Sequence, residues 1–317
     1  MSNHNKALAS IIIVVLFWGF SFISTKIAIV VFPPMSLAML RFAVALVFLY
    51  FIKLKLAPGE KLRKKDIPLL FAAGFTGVTL YFFFENTGIA LVSASEASIA
   101  VSSIPALIMI TEMITGKITI RRKKTAQDAL PNMKNETGQP RRKTRQWIGC
   151  LVSIAGVWLV AGVSFSISGN VTGYLFMTGA AFSWVAYSFL TRPLFAHCSR
   201  IYIVFWQTAA GFIFFIPFSL MEYQSWGNVD IEVIMHLLFL GIFCSAIGYW
   251  YYVRAMEVLG VSVSAIFINL IPVVTVIAGF FVLDDRLTLL QWIGAALVVS
   301  GVYLAIWSPD YTKRKLT

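Results

Sequence analysis

Apolar runs of about 20 residues follow one another along most of this chain, separated by short polar connections. An α-helix of about 20 residues crosses the roughly 30 Å of hydrocarbon in a bilayer. Helices satisfy their own backbone hydrogen bonds there, and the alternation typical of membrane strands is absent. With 59% hydrophobic and 13% charged residues, the chain is expected to be an all-α membrane protein. Ten spans are predicted, at 7–31, 34–54, 67–87, 93–115, 146–164, 173–194, 201–221, 233–253, 261–283 and 288–307.

Lysine and arginine are concentrated in alternate connections between these spans. Six lie between residues 53 and 65, ten between 117 and 145, and three at 313–315. Such clusters mark the cytoplasmic side, so both termini and the 117–145 insertion are expected to face the cytoplasm. Their role in orientation accounts for the net charge of +12 without a nucleic-acid partner. The insertion is expected to be a flexible loop, with contact to anionic lipid as the alternative.

The two halves of the chain repeat each other. Gln-Trp-Ile-Gly begins at Gln146 and again at Gln291, each time followed seven residues after its glycine by Gly-Val. Trp18 also aligns with Trp184, and an Ile-Pro pair at 104–105 aligns with one at 271–272. Five spans in each half place the second half in the membrane upside down relative to the first. The predicted repeats cover residues 1–164 and 165–317.

Repeats of this kind favour alternating access around a central site. The sequence contains no G-x-x-x-x-G-K-[ST] motif for ATP. It also lacks the HExxH and GxSxG motifs of an enzyme, and its three histidines and three cysteines are scattered without metal-ligand spacing. We therefore expect no cofactor, no metal and no enzymatic activity. The glycines of the fifth and tenth spans, at seven-residue spacing, are interpreted as helix-packing positions.

The sequence resembles the EamA-type branch of the drug/metabolite transporter superfamily over nearly its whole length. The resemblance rests on Phe17-Trp18-Gly19, on Arg41-Phe42, on the two Ile-Pro pairs and on the repeated Gln-Trp-Ile-Gly helices. It implies a ten-helix bundle whose cavity is lined mainly by helices 1, 3, 4, 6, 8 and 9, with helices 5 and 10 at the periphery. It also implies transport of small metabolites, amino acids, nucleotide-linked compounds or drugs.

Charged and aromatic residues inside the spans are the candidate site. Intramembrane charges are costly and indicate function, although pairing among Lys26, Arg41, Glu85 and Glu96, or snorkelling to the interface, is the alternative. Trp18 and Trp184 lie half-way along their spans, where they form either packing or an apolar substrate wall. The hydroxyl and amide groups near them and near the helix prolines serve either the substrate or the local backbone. The full candidate set is Trp18, Ser21, Lys26, Arg41, Tyr81, Glu85, Ser102, Trp184, Tyr187, Tyr249, Tyr252 and Asn269.

The leading hypothesis is a secondary transporter that moves a small amino acid-like or drug-like metabolite across the cytoplasmic membrane by alternating access, in the direction of export. A bacterial inner membrane is the expected location, with the bilayer and the small molecule as partners. Coupling to protons would need a titratable cavity group, for which Glu85 is the candidate. The alternatives are an importer of a nucleotide-linked or other anionic metabolite and, more remotely, an intramembrane enzyme or a lipid-handling protein.

Overall fold

A computed structural model describes residues 3–127, 140–160, 171–283 and 288–306 of the protein. Within these ranges the regular structure is helical, and no strand occurs. Eight helices of the described part are long and apolar enough to cross a membrane. The prediction of an all-α membrane protein is confirmed.

The first half contributes five helical segments. They are α1 (Asn3–Ala28), α2 (Pro34–Leu56), α3 (Ile67–Leu91), α4 (Ala94–Val101 continued by Ile104–Gln127) and α5 (Pro140–Val160).

The second half contributes five more. They are α6 (Val171–Thr191), α7 (Arg200–Glu222), α8 (Ile231–Leu259), α9 (Val261–Ile266, continued through Phe267–Leu270 to Ile271–Leu283) and α10 (Leu289–Ile306).

The basic insertion differs from its prediction as a loop. Its described parts, 117–127 and 140–145, continue the helices α4 and α5 beyond their apolar stretches. Lysine and arginine are good helix formers, so the backbone does not need to leave the helix where the sequence turns basic. Residues 128–139, the remainder of the insertion, lie outside the described residues.

Helix irregularities recur at equivalent places in the two halves. A π-helical segment interrupts α3 at Phe75–Leu80 and α8 at Phe239–Ile247. A turn at 102–103 interrupts α4, and the 3-10 segment Phe267–Leu270 interrupts α9. The last two defects lie just before Pro105 and Pro272, where proline removes a backbone donor and disturbs the preceding turn.

Contacts between the halves follow the same duplication. Helix α1 packs on α8 and α9, and its counterpart α6 packs on α3 and α4. The helices α2 and α7, and likewise α5 and α10, pack on each other. Most buried apolar residues of the described part belong to one large cluster that both halves share, and two smaller clusters also combine residues of both halves.

Glycines set the contact between α5 and α10. A methyl group on Gly156 would lie 2.7 Å from the carbonyl oxygen of Gly294, and one on Gly294 would lie 2.7 Å from that of Gly156. Gly149 and Gly301 meet in the same reciprocal way. Residue numbers rise along one helix as they fall along the other, so the two helices are antiparallel. These glycines are packing positions, as the sequence predicted.

Candidate functional site

A cavity lies between the two halves, and its empty space, together with the solvent at its opening, amounts to about 400 Å³. Seven of the twelve candidate residues line it, namely Trp18, Ser21, Arg41, Tyr81, Glu85, Trp184 and Tyr249. The remaining lining residues are Phe22, Phe82, Val101, Ile104, Ile268 and Ile271. Both halves therefore contribute to the walls.

Two tryptophans from the first helices of the two halves meet at one end of this cavity. The ring centroids of Trp18 and Trp184 lie 5.2 Å apart with planes at 87°. Tyr249 and Tyr252 of α8 lie within 6 Å of both indoles, at 5.1–5.9 Å between centroids. The contacts of Tyr249 are edge to face and those of Tyr252 are tilted, and such contacts hold rings in fixed relative positions. We call the set Trp18, Tyr81, Trp184, Tyr187, Tyr249 and Tyr252 the aromatic cluster.

Hydrogen bonds fix the polar atoms of this cluster. The Trp18 indole donates to the carbonyl of Cys244 at 3.1 Å, and the Trp184 indole donates to the Tyr252 hydroxyl at 3.2 Å. The Tyr249 hydroxyl donates to the carbonyl of Gly77 at 2.8 Å. The indole N–H groups are thus engaged within the protein, and the tryptophans offer their ring surfaces to the cavity.

Arg41 of α2 brings a cation to the cavity wall. The residue is 3% exposed, and its Nε donates to Ser245 Oγ of α8 at 3.0 Å. Its guanidinium lies 4.3 Å from the ring centroid of Phe82, a distance that allows cation–π attraction. The planar group is held by a hydroxyl and an aromatic face, and the ion pairs of the described residues do not include it.

Glu85 of α3 brings a carboxyl group to the same cavity. The residue is 6% exposed, and its Oε1 accepts a 2.8 Å hydrogen bond from the Tyr81 hydroxyl. Among the described residues, the ion pairs do not include one between Arg41 and Glu85. The two groups still act on each other electrostatically, without direct contact.

Lys26 lies away from the cavity. Its Nζ donates to the carbonyls of Ile89 and Val92, each at 2.7 Å, at the end of α3. A lysine in this position satisfies carbonyls that a helix terminus leaves free. Glu96 is bonded to the Tyr174 hydroxyl at 2.8 Å, and the ion pairs of the described residues do not join it to Lys26.

The other candidates outside the cavity are buried in helix contacts. Asn269 Nδ2 donates to Ser153 Oγ of α5 at 2.6 Å, which connects α9 to the peripheral helix pair. Ser102, its counterpart in α4, is buried. Tyr187 and Tyr252 are completely buried at the back of the aromatic cluster.

Six apolar lining residues were not among the sequence candidates. Two of them, Ile104 and Ile271, immediately precede the helix prolines and occupy equivalent places in the repeat. Val101 and Ile268 are a second equivalent pair, one turn earlier. The repeated Ile-Pro signal was available in the sequence, but the other lining residues resemble any apolar residue of a span.

Arg41 and Glu85 line the cavity, but the residues at the equivalent positions of the second half do not. The carbonyl of Arg41 contacts Gly241 and that of Gln207 contacts Gly74, which identifies Gln207 as the counterpart of Arg41. By the same alignment Tyr252 is the counterpart of Glu85. Both counterparts are buried in contacts within the protein. Gln207 Nε2 donates to Thr191 Oγ1 at 3.0 Å, and its Oε1 has no hydrogen-bond partner among the described residues.

A separate polar cluster joins the α2–α3 connection to the α6–α7 connection. The buried Asp66 carboxylate contacts His197 Nε2 at 2.8 Å and accepts from Arg63 Nε at 2.7 Å. The Cys198 thiol lies 3.6 Å from the same carboxylate and 3.0 Å from Arg63 Nη2. Burial acts to raise the pKa of Asp66, but the hydrogen bonds from His197 and Arg63 outweigh it and hold the pKa below its ordinary value.

The types of these residues would suit a metal ion, but their bonding does not. Ligand atoms of Asp66, His197 and Cys198 lie within 4.8 Å of one another. The Cys198 thiol donates to the Asp66 carboxylate at 3.6 Å. The guanidinium of Arg63 also occupies the carboxylate. The cluster therefore connects the two halves and is not arranged as a metal centre.

An all-helical, multi-pass membrane protein with a polar cavity between two similar halves has the form of a small-molecule transporter. The sequence profile of the EamA-like transporter family matches residues 5–126 and 171–307. The chain belongs to this family, within the drug/metabolite transporter superfamily. The family assigns it to transport rather than to catalysis, with the cell membrane as its location.

Relatives match the chain almost end to end. An uncharacterized transporter of Archaeoglobus fulgidus is 28% identical over 92% of this chain and 95% of its own length. A probable amino-acid metabolite efflux pump of Escherichia coli is 25% identical over 99% and 98%. A probable terminal-alkyne amino-acid exporter of Streptantibioticus cattleyicolor is 23% identical over 95% and 93%.

One solved crystal structure of another protein shares the fold. It superposes with a TM-score of 0.70 over 95% of this chain and 97% of the other, at 19% identity. This likeness concerns the course of the backbone and carries no statement about substrate.

Proposed function

We propose that the protein is a secondary transporter that exports a small metabolite by alternating access. One observation carries the proposal: equivalent residues of both halves line part of the cavity. Trp18 and Trp184 close one end of it, and the Ile104–Ile271 and Val101–Ile268 pairs line its walls. A movement of one half against the other would close this cavity and open its counterpart.

The proposed architecture is two inverted five-helix repeats, residues 1–164 and 165–317, with both termini in the cytoplasm. The antiparallel contact of α5 and α10 supports the inversion, because these helices carry the same Gln-Trp-Ile-Gly sequence. The recurring helix irregularities support the equivalence of the halves. The lysine and arginine distribution supports the orientation, with the bacterial inner membrane as the host.

In this orientation the cavity faces outwards. Ser21 follows Trp18 along α1, and Glu85 follows Tyr81 along α3, both towards the outer side. The counterparts Tyr187 and Tyr252 are packed on the inner side of the two tryptophans. These positions support an outward-facing conformation as the proposed state, with the aromatic cluster as its inner closure.

Export of an amino acid-like or drug-like compound is the proposed direction and substrate class. The names of the Escherichia coli and Streptantibioticus relatives support it. Import of a nucleotide-linked or other anionic metabolite is the alternative, and Arg41 is the observation that favours it. Glu85 is the proposed proton-carrying group if transport is coupled to protons.

Flux in proteoliposomes tests the function. Purified protein is reconstituted, and uptake and release of a labelled panel of amino acids, aromatic amines, nucleotides and organic acids are measured with and without a pH gradient. We expect saturable flux of one class, which protein-free liposomes lack. Equal rates with and without protein for every compound would refute transport of these classes.

A further inference from the structure

We infer that the cavity binds a small zwitterion, with Arg41 holding its carboxylate, Glu85 its ammonium group and the aliphatic wall its apolar remainder. This assignment deepens the proposed function and rests on it for the location of the substrate. It concerns which chemical features of the substrate are recognised, and by which side chains.

The first step is the charge of the two residues. Arg41 and Glu85 are buried and line the same cavity, and the guanidinium acts electrostatically on the carboxyl group. Among the described residues they do not come within 4.0 Å of each other, so neither is in direct contact with an opposite charge. Each has a neutral partner, Ser245 for the guanidinium and Tyr81 for the carboxyl group. A buried charge is costly unless an opposite charge compensates it. A ligand that carries both charges compensates both side chains at once.

The second step is the free hydrogen-bonding capacity. Within the described part of the chain, Arg41 donates through Nε alone, which leaves its terminal nitrogens available. A guanidinium binds a carboxylate best through paired parallel hydrogen bonds. Glu85 is bonded at Oε1 by Tyr81, and its second oxygen is available to an ammonium group. The two side chains therefore offer one donor site and one acceptor site.

The third step is the remainder of the wall. Val101, Ile104, Ile268 and Ile271 present only hydrocarbon, and Phe22 adds an aromatic face. Burial of apolar surface would stabilise a bound hydrocarbon side chain there. The arrangement fits an α-amino acid with an apolar side chain better than a sugar or a polyhydroxylated compound.

The fourth step excludes simpler ions. An organic anion would satisfy Arg41 and leave the Glu85 carboxyl group without its cation, and an amine would do the reverse. A polyanion such as a nucleotide would bring several charges next to a carboxyl group, with one cation at the wall. The zwitterion is the smallest ligand that satisfies both residues.

Binding of matched probes to the purified wild-type protein is the direct experiment. L-Leucine is compared by calorimetry with 3-methylbutan-1-amine, which lacks the carboxylate, and with 4-methylpentanoic acid, which lacks the ammonium group. We expect each analogue to bind roughly tenfold or more weakly than leucine, since each leaves a buried charged group unsatisfied. Equal binding of either analogue would overturn the assignment. L-Phenylalanine and L-methionine serve as further probes, and no binding by any of the three amino acids would also overturn it.

Two variants test which side chain binds the carboxylate and which binds the ammonium group of the ligand. In Arg41→Gln, leucine and 3-methylbutan-1-amine should bind equally, because the carboxylate has lost its partner. In Glu85→Gln, leucine and 4-methylpentanoic acid should bind equally. If each variant instead keeps the wild-type preference for leucine over that analogue, the two residues do not bind the charged groups of the ligand. If a variant does not fold, the comparison of ligands on the wild-type protein decides alone.

Flux in proteoliposomes separates this assignment from the proposed function. One outcome is saturable flux of other compounds while leucine and its two analogues bind equally well. That result would support transport and refute the zwitterion site. The other outcome is selective binding of zwitterions without flux of any compound that binds. That result would support the zwitterion site and refute transport.

Discussion

The indole rings of Trp18 and Trp184 meet edge to face at the wall of the cavity between the two halves, with their centroids 5.2 Å apart. They come from equivalent helices of the two halves, yet their surroundings differ. Trp184 is 2% exposed, whereas Trp18 is half-buried. A substitution at either residue should therefore affect the proposed inward-open and outward-open conformations unequally.

The tryptophan variants test this inequality. Trp18→Ala and Trp184→Ala should each reduce flux, and one should favour the inward-open state while the other favours the outward-open state. A tryptophan that served only as core would instead cost about 3–5 kcal/mol of stability on truncation. Labelling of a cysteine introduced at the cavity residue Ser21, from either side of the membrane, measures the bias, and melting temperature measures stability. The exposed Trp292 gives the control Trp292→Ala, and identical shifts in the two test variants would contradict the prediction.

Alanine at the glycine contact should destabilise the protein. A methyl group on Gly156 would lie 2.6 Å from the Val298 nitrogen, and one on Gly294 would lie 2.6 Å from that of Val160. Backbone cannot move aside as a flexible side chain can, so each change should cost roughly 1–3 kcal/mol. Thermal unfolding in detergent measures the loss. A Cβ on Gly59 meets nothing within 4 Å, so Gly59→Ala is the matched control, and equal melting temperatures would refute the contact.

Asp66→Asn should weaken the connection between the halves. It should also make the stability of the folded protein less dependent on pH. The pKa of Asp66 is lowered in the folded protein, so its ionised form stabilises the fold. That contribution is fully present above the ordinary aspartate pKa and is lost as the pH falls through the lowered one. The variant should melt earlier than wild type at pH 7, and the difference should shrink in acid. The exposed Glu232, as Glu232→Gln, is the control, and a pH-independent difference would refute the electrostatic explanation.

Cysteine accessibility tests the orientation. Gly59 lies in the α2–α3 connection and Gly227 in the α7–α8 connection, and both can accept a side chain without a close contact. In a background in which Cys150, Cys198 and Cys244 are replaced by serine, an impermeant maleimide added outside intact cells should label Gly227→Cys. It should label Gly59→Cys only after permeabilisation. The opposite pattern would reverse the proposed topology.

Hydropathy and duplication predicted the helical course of the chain because both are properties of local sequence. Membrane spans need length and apolarity, and both are visible without any tertiary contact. The same signals missed the helical continuation of residues 117–127, since helices continue past the apolar stretch where residue propensity allows.

The site was harder to predict because lining a cavity is a tertiary property. Charge and aromaticity identified Arg41, Glu85 and the two tryptophans, which are unusual inside a span. Phe22 carries no such mark, since an apolar residue has the same composition whether it faces lipid, core or cavity. Lys26 shows the converse, because only the folded structure brings its ammonium group to the last carbonyls of α3.

The reciprocal glycine contact of α5 and α10 has a consequence for motion. Under the proposed alternating access, a pair of equivalent helices in mutual contact would lie on the axis that exchanges the two halves, so its geometry would be the same before and after the exchange. Spin labels on the exposed Leu151 and Val299 should then keep one distance distribution in both proposed states. Substitutions in this helix pair should accordingly change the stability of the protein and leave its substrate selectivity unaltered.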